Sequence, residues 1–217
     1  MDGLILVLVL ILNVAISIWN CYAAGTAWKD TMAFGSTFDK VLLWSAAIQS
    51  GVGFSMPILL VLAYGSTYFL TGGAEPTMSP AEAQEFMQAI FSLWYVAVIF
   101  PILGSGLAIW IHSIRAAFQR RDFASIATAG WNTFAQVHNT ISAVENLGGA
   151  LGNVGDFFGK ALNSKGGDGK GKAGILLILI VVLALVAGFM ITFALIRYFA
   201  RTSESRLEQF AEQGMRA

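Results

Sequence analysis

Residues 3–24, 41–70, 89–114 and 174–196 contain no Asp, Glu, Lys or Arg, and each stretch is strongly apolar. A helix needs about 20 such residues to cross roughly 30 Å of hydrocarbon, so each stretch is long enough to be a span. The first opens with an unbroken aliphatic run over residues 4–12. Charged residues make up 12% of the chain, about half the ~25% typical of a soluble domain, and hydrophobic residues make up 56%. The expected fold class is therefore an all-α integral membrane protein, with four transmembrane helices plus a long cytoplasmic amphipathic helix.

The chain divides accordingly. Residues 1–121 read as a three-span region whose third helix extends into the cytoplasm, and 122–163 as the amphipathic cytoplasmic helix. Residues 164–173 read as a basic Gly-rich linker, 174–200 as the fourth span and 201–217 as a charged tail. Asp2 stands where a secretory signal would carry Lys or Arg, so the first segment reads as a retained anchor. Ser79-Pro80-Ala81-Glu82 has the pattern of a capping box with proline at the first helical position, and predicts where the third helix starts.

Orientation is read from the basic residues. If the N-terminus lies outside, Lys29 and Lys40 are cytoplasmic. With 122–163 in the cytoplasm, Arg115, Arg120, Arg121, Lys160, Lys165, Lys170 and Lys172 join them, while Arg197, Arg201, Arg206 and Arg216 fall outside. The expected location is an integral protein of the cell's inner (plasma) membrane. Arg197 and Arg201 sit awkwardly with this, because they favour a tail on the inner side.

Catalytic chemistry is sparse. Cys21 is the single cysteine, so no intrachain disulfide can form, and His112 and His138 have no ligand-like spacing to it or to each other. The Gly-Gly-Asp-Gly-Lys-Gly-Lys stretch precedes a membrane span and reads as a flexible linker, not a phosphate loop. No enzyme activity, cofactor or metal is expected. Zero net charge gives no reason to expect nucleic acid.

The spans do hold uncharged polar residues. Asn13, Ser17 and Asn20 share one face of the first helix and are expected to bind other helices, with a pore lining as the other reading. Gly51 and Ser55 form a small-xxx-small pair for close helix approach. Pro57 and Pro101 lie near the middle of their spans and are expected to kink them, either for packing or around a midplane binding site.

Over residues 123–162 apolar side chains recur at steps of three and four, leaving Ser, Thr, Asn and Gln on the other side. Few cations flank this stripe, unlike helices that rest on anionic lipid. Trp131, Phe134, Val137, Ile141, Val144 and Leu151 are therefore expected to contact a partner subunit or a copy of the chain. The expected partners are membrane lipid and other membrane-complex subunits or copies of itself. The expected function is a structural or assembly role in a larger membrane complex of the secretion, conjugation or envelope type. The alternative is a homo-oligomeric pore or small channel lined by the kinked second and third helices.

Overall fold

A computed structural model describes residues 2–72, 78–163 and 169–215, and every element among them is helical. The helices are α1 (Asp2–Phe34), α2 (Thr37–Thr71), α3 (Pro80–Arg120), α4 (Phe123–Asn163) and α5 (Gly169–Met215). Segments of α1, α2, α3 and α5 are long and apolar enough to cross a membrane: Val7–Phe34, Thr37–Thr71, Pro80–Arg120 and Ala173–Glu204. The chain is therefore all-α, with the architecture of a multi-pass integral membrane protein.

Helix ends follow local chemistry. Ser79 caps α3 as its sequence pattern predicts: its hydroxyl accepts from the Glu82 N–H while the Glu82 carboxylate accepts from the Ser79 N–H, with Pro80 at the first turn. Ser36 and Asp39 form the same reciprocal box at the start of α2, a signal that was equally available in the sequence. Pro57 and Pro101 lie within α2 and α3, and both helices continue through them. The helical part of the chain is longer than expected at its end, since α5 takes in Gly169 of the linker and runs on to Met215. Position 164 and its neighbours up to 168 lie outside the described residues.

The α3–α4 connection decides the architecture. Arg121 ends α3 in the left-handed region at φ 55, a conformation that few non-glycine residues adopt. Asp122 then caps α4, its carboxylate accepting the Ser125 N–H at 2.7 Å. A turn this short leaves α4 nowhere to go except back along α3, the rule for helical hairpins. Contacts run the whole length of the pair. Trp110 meets Thr133, Leu103 meets Gln136, Tyr95 meets Ser142, Ser92 meets Asn153 and Glu85 meets Lys160. Positions fall along α3 as they rise along α4, so the two are antiparallel. The separate cytoplasmic layer expected for residues 122–163 has no support here, because α4 is a member of the bundle.

Two apolar cores mark the two ends of that bundle. At one end Cys21, Ala24, Leu43, Ala47, Phe54 and Ile196 join the end of α1, the first half of α2 and the second half of α5. At the other, Leu59, Ala63, Phe86, Ile90, Leu177 and Ile180 join the end of α2 and the starts of α3 and α5, with Phe157 and Phe158 of α4 packed against them. Exposed ion pairs, each worth at most about 1 kcal/mol, tie the same ends: Lys29–Glu204 at 3.2 Å and Lys160–Glu85 at 3.0 Å. The Arg115 guanidinium lies over the Phe38 ring at the first end.

This placement rearranges the basic residues. Lys29, Lys40, Arg115, Arg120, Arg121, Arg197 and Arg201 belong to the first end, and Lys160, Lys170 and Lys172 to the second. The expected grouping of Lys160 with Arg115 therefore fails, because α4 carries Lys160 back to Glu85. Arg197 and Arg201, awkward in the expected topology, fall with the other arginines.

Candidate functional site: a polar seam inside the bundle

The polar side chains within the helices converge on seams between them. Close approach comes first. A Cβ on Gly188 of α5 would lie 2.7 Å from Ser55 N and would collide with Gly51 O, while one on Gly51 would lie 2.7 Å from the Phe189 ring. Gly51 and Ser55 thus face α5, and the partner they pack on is Gly188. Gly53 plays the same part towards α1, where a Cβ would collide with Ser17 Oγ and lie 2.6 Å from Asn13 Oδ1. Backbones this close favour hydrogen bonds between helices.

Of the predicted polar face on α1, Ser17 is buried while Asn13 and Asn20 are half-buried. The structure brings Asn13 and Ser17 together at Gly53. Ser50 Oγ donates to the Ser17 carbonyl at 3.0 Å. Among the described residues neither the Asn13 nor the Asn20 amide donates to another helix. Cys21 is fully buried, its Sγ 3.8 Å from the Thr192 carbonyl of α5.

The richer seam lies between α2, α3 and α4. Gln49 Nε2 donates to Ser105 Oγ at 2.8 Å and to the Ile102 carbonyl at 3.1 Å, just beyond Pro101. Ser105 Oγ donates in turn to the Pro101 carbonyl at 2.6 Å. From α4, Gln136 Nε2 donates to the Leu103 carbonyl at 3.4 Å, and its Oε1 lies over Gly106, buried and without a hydrogen-bond partner among the described residues. Trp94 Nε1 donates to Ser55 Oγ at 2.9 Å and Trp110 Nε1 to Thr133 Oγ1 at 2.8 Å. Tyr95 donates to the Ser142 carbonyl at 2.8 Å, and Asn153 Nδ2 to Ser92 Oγ at 3.1 Å. Sequence reasoning missed most of these partners. The signal available was Trp, Tyr and Gln inside spans, since each carries a donor that needs an acceptor when water is absent.

α4 is consequently turned opposite to a helix that buries its apolar stripe. Thr133, Gln136, Ser142 and Asn153 meet α3, while Trp131, Phe134, Val137, Ile141, Val144 and Leu151 point outward. The outward six are 50–80% exposed. Phe134 stacks on His138 at 6.0 Å, and Glu145 is also exposed. Full burial of such a side chain is worth about 1.5–3 kcal/mol, and these six, already part-covered, have roughly half or more of that still to gain. One carboxylate at a helix centre costs about 2.5–3.5 kcal/mol on insertion scales. The apolar residues outweigh it, so the face as a whole favours an apolar surrounding.

The chemistry open to this arrangement is limited. Among the described residues no group of three or more His, Cys, Asp or Glu is placed to hold a metal ion. The surface depression lined by Leu185, Val186, Phe189, Met190 and Phe193 is apolar and lies on one face of α5. The seam joins helices, and large apolar side chains dominate the outer faces of α4 and α5. No protein-family model, curated protein or solved structure matches this chain.

Proposed function

We propose that this chain is a multi-pass membrane subunit with a structural or assembly role in a larger membrane complex of the secretion, conjugation or envelope type. The reading rests on one observation. Gln49, Trp94, Tyr95 and Trp110 hydrogen-bond to the chain's own helices, while the large apolar side chains of α4 are left outward. A bundle built this way has its business on its outer surface, and its function is contact, not catalysis. Its partners are membrane lipid and other subunits or copies of itself, met through Trp131, Phe134, Val137, Ile141, Val144 and Leu151. The membrane is the cell's inner (plasma) membrane, with the arginine-rich end facing the cytoplasm.

The pore alternative draws less support, because Gln49, Ser55 and Ser105 of its supposed lining point at neighbours within one chain. The test is the mass and composition of the particle purified in mild detergent. The expected particle holds more protein than one chain, and replacing Trp131, Phe134 and Ile141 together by Ser releases the partner while the four apolar spans, untouched, still insert. A wild-type particle of one chain overturns the proposal. A ring of this chain alone that conducts ions replaces it with the pore.

A further inference from the structure

We infer that α4 crosses the membrane beside α3, so that the chain has five crossings where hydropathy finds four. The inference concerns insertion alone and holds whether or not the chain is a complex subunit.

Three observations carry it. The first is register: α4 is bonded to α3 from Trp110–Thr133 near one end to Glu85–Lys160 at the other, and α3 is one of the uncharged spans. A helix paired over that length shares the depth of its neighbour. The second is the direction of its faces. In water α4 would turn its large apolar side chains to α3; instead Thr133, Gln136 and Asn153 bond to α3 and those large side chains point outward, with Thr128, His138, Thr140 and Asn146 exposed among them. Polar groups inward and Trp131, Phe134, Val137 and Ile141 outward is the arrangement for a helix surrounded by hydrocarbon or by other membrane helices. Window hydropathy misses such a helix because its inward residues, bonded to α3, are counted as if they met lipid.

The third observation is charge. With α4 crossing, Arg197 and Arg201 share a side with Lys29, Lys40, Arg115 and Arg120, and Lys160 shares the other with Glu85. A cytoplasmic α4 would have to leave α3, breaking every bond of the seam, and would divide the arginines between the two sides. Five crossings keep them together, as the positive-inside rule favours. Glu145 is the one acidic residue on the outward face between Asp122 and Asp156. It is the position at which an apolar environment is least comfortable, and it does not reverse the balance of the face.

The test is side-specific labelling of single cysteines by a membrane-impermeant thiol reagent, with the buried Cys21 left in place and wild type as the blank. Thr77→Cys and Ser164→Cys should label from one side, and Thr37→Cys and Ser203→Cys from the other. A four-crossing chain exchanges the places of Ser164→Cys and Ser203→Cys, so two positions decide independently. As a check that needs no thiol, a glycosylation acceptor tripeptide is inserted after Gly167 or after Gly73 and the chain is made with microsomes. Five crossings require that both insertions be modified or neither. Labelling of Ser164→Cys together with Thr37→Cys, or glycosylation of one insertion without the other, overturns the inference.

Discussion

The α2–α5 crossing and the outer face of α4 both carry glycines, and the two put them to opposite use. At the crossing, Gly51 and Gly188 are filled by the neighbouring helix so closely that no Cβ fits. On α4, Gly148, Gly149, Gly152, Gly155 and Gly159 have nothing within 4 Å of where a Cβ would stand. The first set brings backbones together, which is how helices associate when lipid offers no hydrophobic drive. The second is closed by nothing among the described residues. The same residue type thus marks a finished interface in one region and an uncovered surface in the other.

Substitution should separate them sharply. Gly188→Leu drives a side chain into Ser55 N and the Gly51 carbonyl, and backbone cannot step aside as a flexible side chain can. Overpacking usually costs about 1–3 kcal/mol and occasionally more, and this site belongs at or above the upper figure. The melting temperature in detergent should fall steeply. The triple change Gly148→Ala, Gly152→Ala and Gly155→Ala meets open space, and each Ala gains up to ~1 kcal/mol of helix propensity, so the chain alone should be stabilised, by up to about 3 kcal/mol in all. Equal destabilisation by both would erase the contrast. A triple variant that is stable by itself yet loses its partner would sharpen it, by naming the glycine side of α4 as a contact.

How much of this was legible in the sequence follows the range of the forces involved. The four spans were legible because exclusion of charge from hydrocarbon acts residue by residue, and the Ser79 cap because it is complete within four residues. Gly51 and Ser55 stood out as small residues, but Gly188, which they meet, is distant in sequence and could not be paired with them. The amphipathic pattern of α4 was also plain. Periodicity says that one face is apolar, though, and is silent on which medium meets it. The missing piece was the two-residue turn at Arg121–Asp122. Asp122 followed by Ser125 is a readable cap, and a cap immediately after a helix end implies a hairpin. Asn13 and Asn20 teach a further lesson, since residues suited to interhelical bonds need an acceptor at the right height, and among the described residues Ser50 and Gln49 donate to another helix while those two amides do not.

The α2–α3–α4 seam offers a second, smaller contrast between two glutamines. Gln49→Leu removes donors to Ser105 Oγ and the Ile102 carbonyl, and interhelical bonds in membranes are worth about 0.6–2 kcal/mol each. Gln136→Leu removes one long bond at 3.4 Å and also removes a buried oxygen with no partner. Eliminating an unsatisfied buried group offsets the loss of a bond, so this change should be close to neutral. Unfolding by denaturant in detergent should rank Gln49→Leu clearly below wild type and Gln136→Leu beside it. If Gln136→Leu proves the more damaging, its bond to the Leu103 carbonyl outweighs the unpaired oxygen.

The smallest expected effect is at the turn that sends α4 back along α3. The Ser125 backbone N–H, then the Ser125 hydroxyl, hold the Asp122 carboxyl below the ordinary carboxylate range. A carboxylate whose folded pKa is depressed adds stability that is present above its unfolded value, ~3.9 for Asp, and is lost as pH falls through that value towards the folded one. The cap should therefore weaken below about pH 4 and be indifferent to pH near neutrality. Asp122→Asn keeps an acceptor that caps about as well, but one that does not titrate. It should leave stability at neutral pH almost unchanged while removing this part of the acid dependence. Asp122→Ala should weaken the turn at every pH. Hydrogen exchange of the Ser125 and Ile126 amides reads the turn directly, because the Ser125 N–H bonds to the Asp122 carboxylate and the Ile126 N–H to the Asp122 carbonyl. In wild type, protection of Ser125 should fall as the solution is acidified while that of Ile126 falls less. In Asp122→Asn both should follow the same shallow course. Were Ser125 to keep its protection in acid, the charge of the carboxylate would not be what holds its N–H, and the turn would owe its acid resistance to the Ile126–Asp122 backbone bond and the Arg121 conformation.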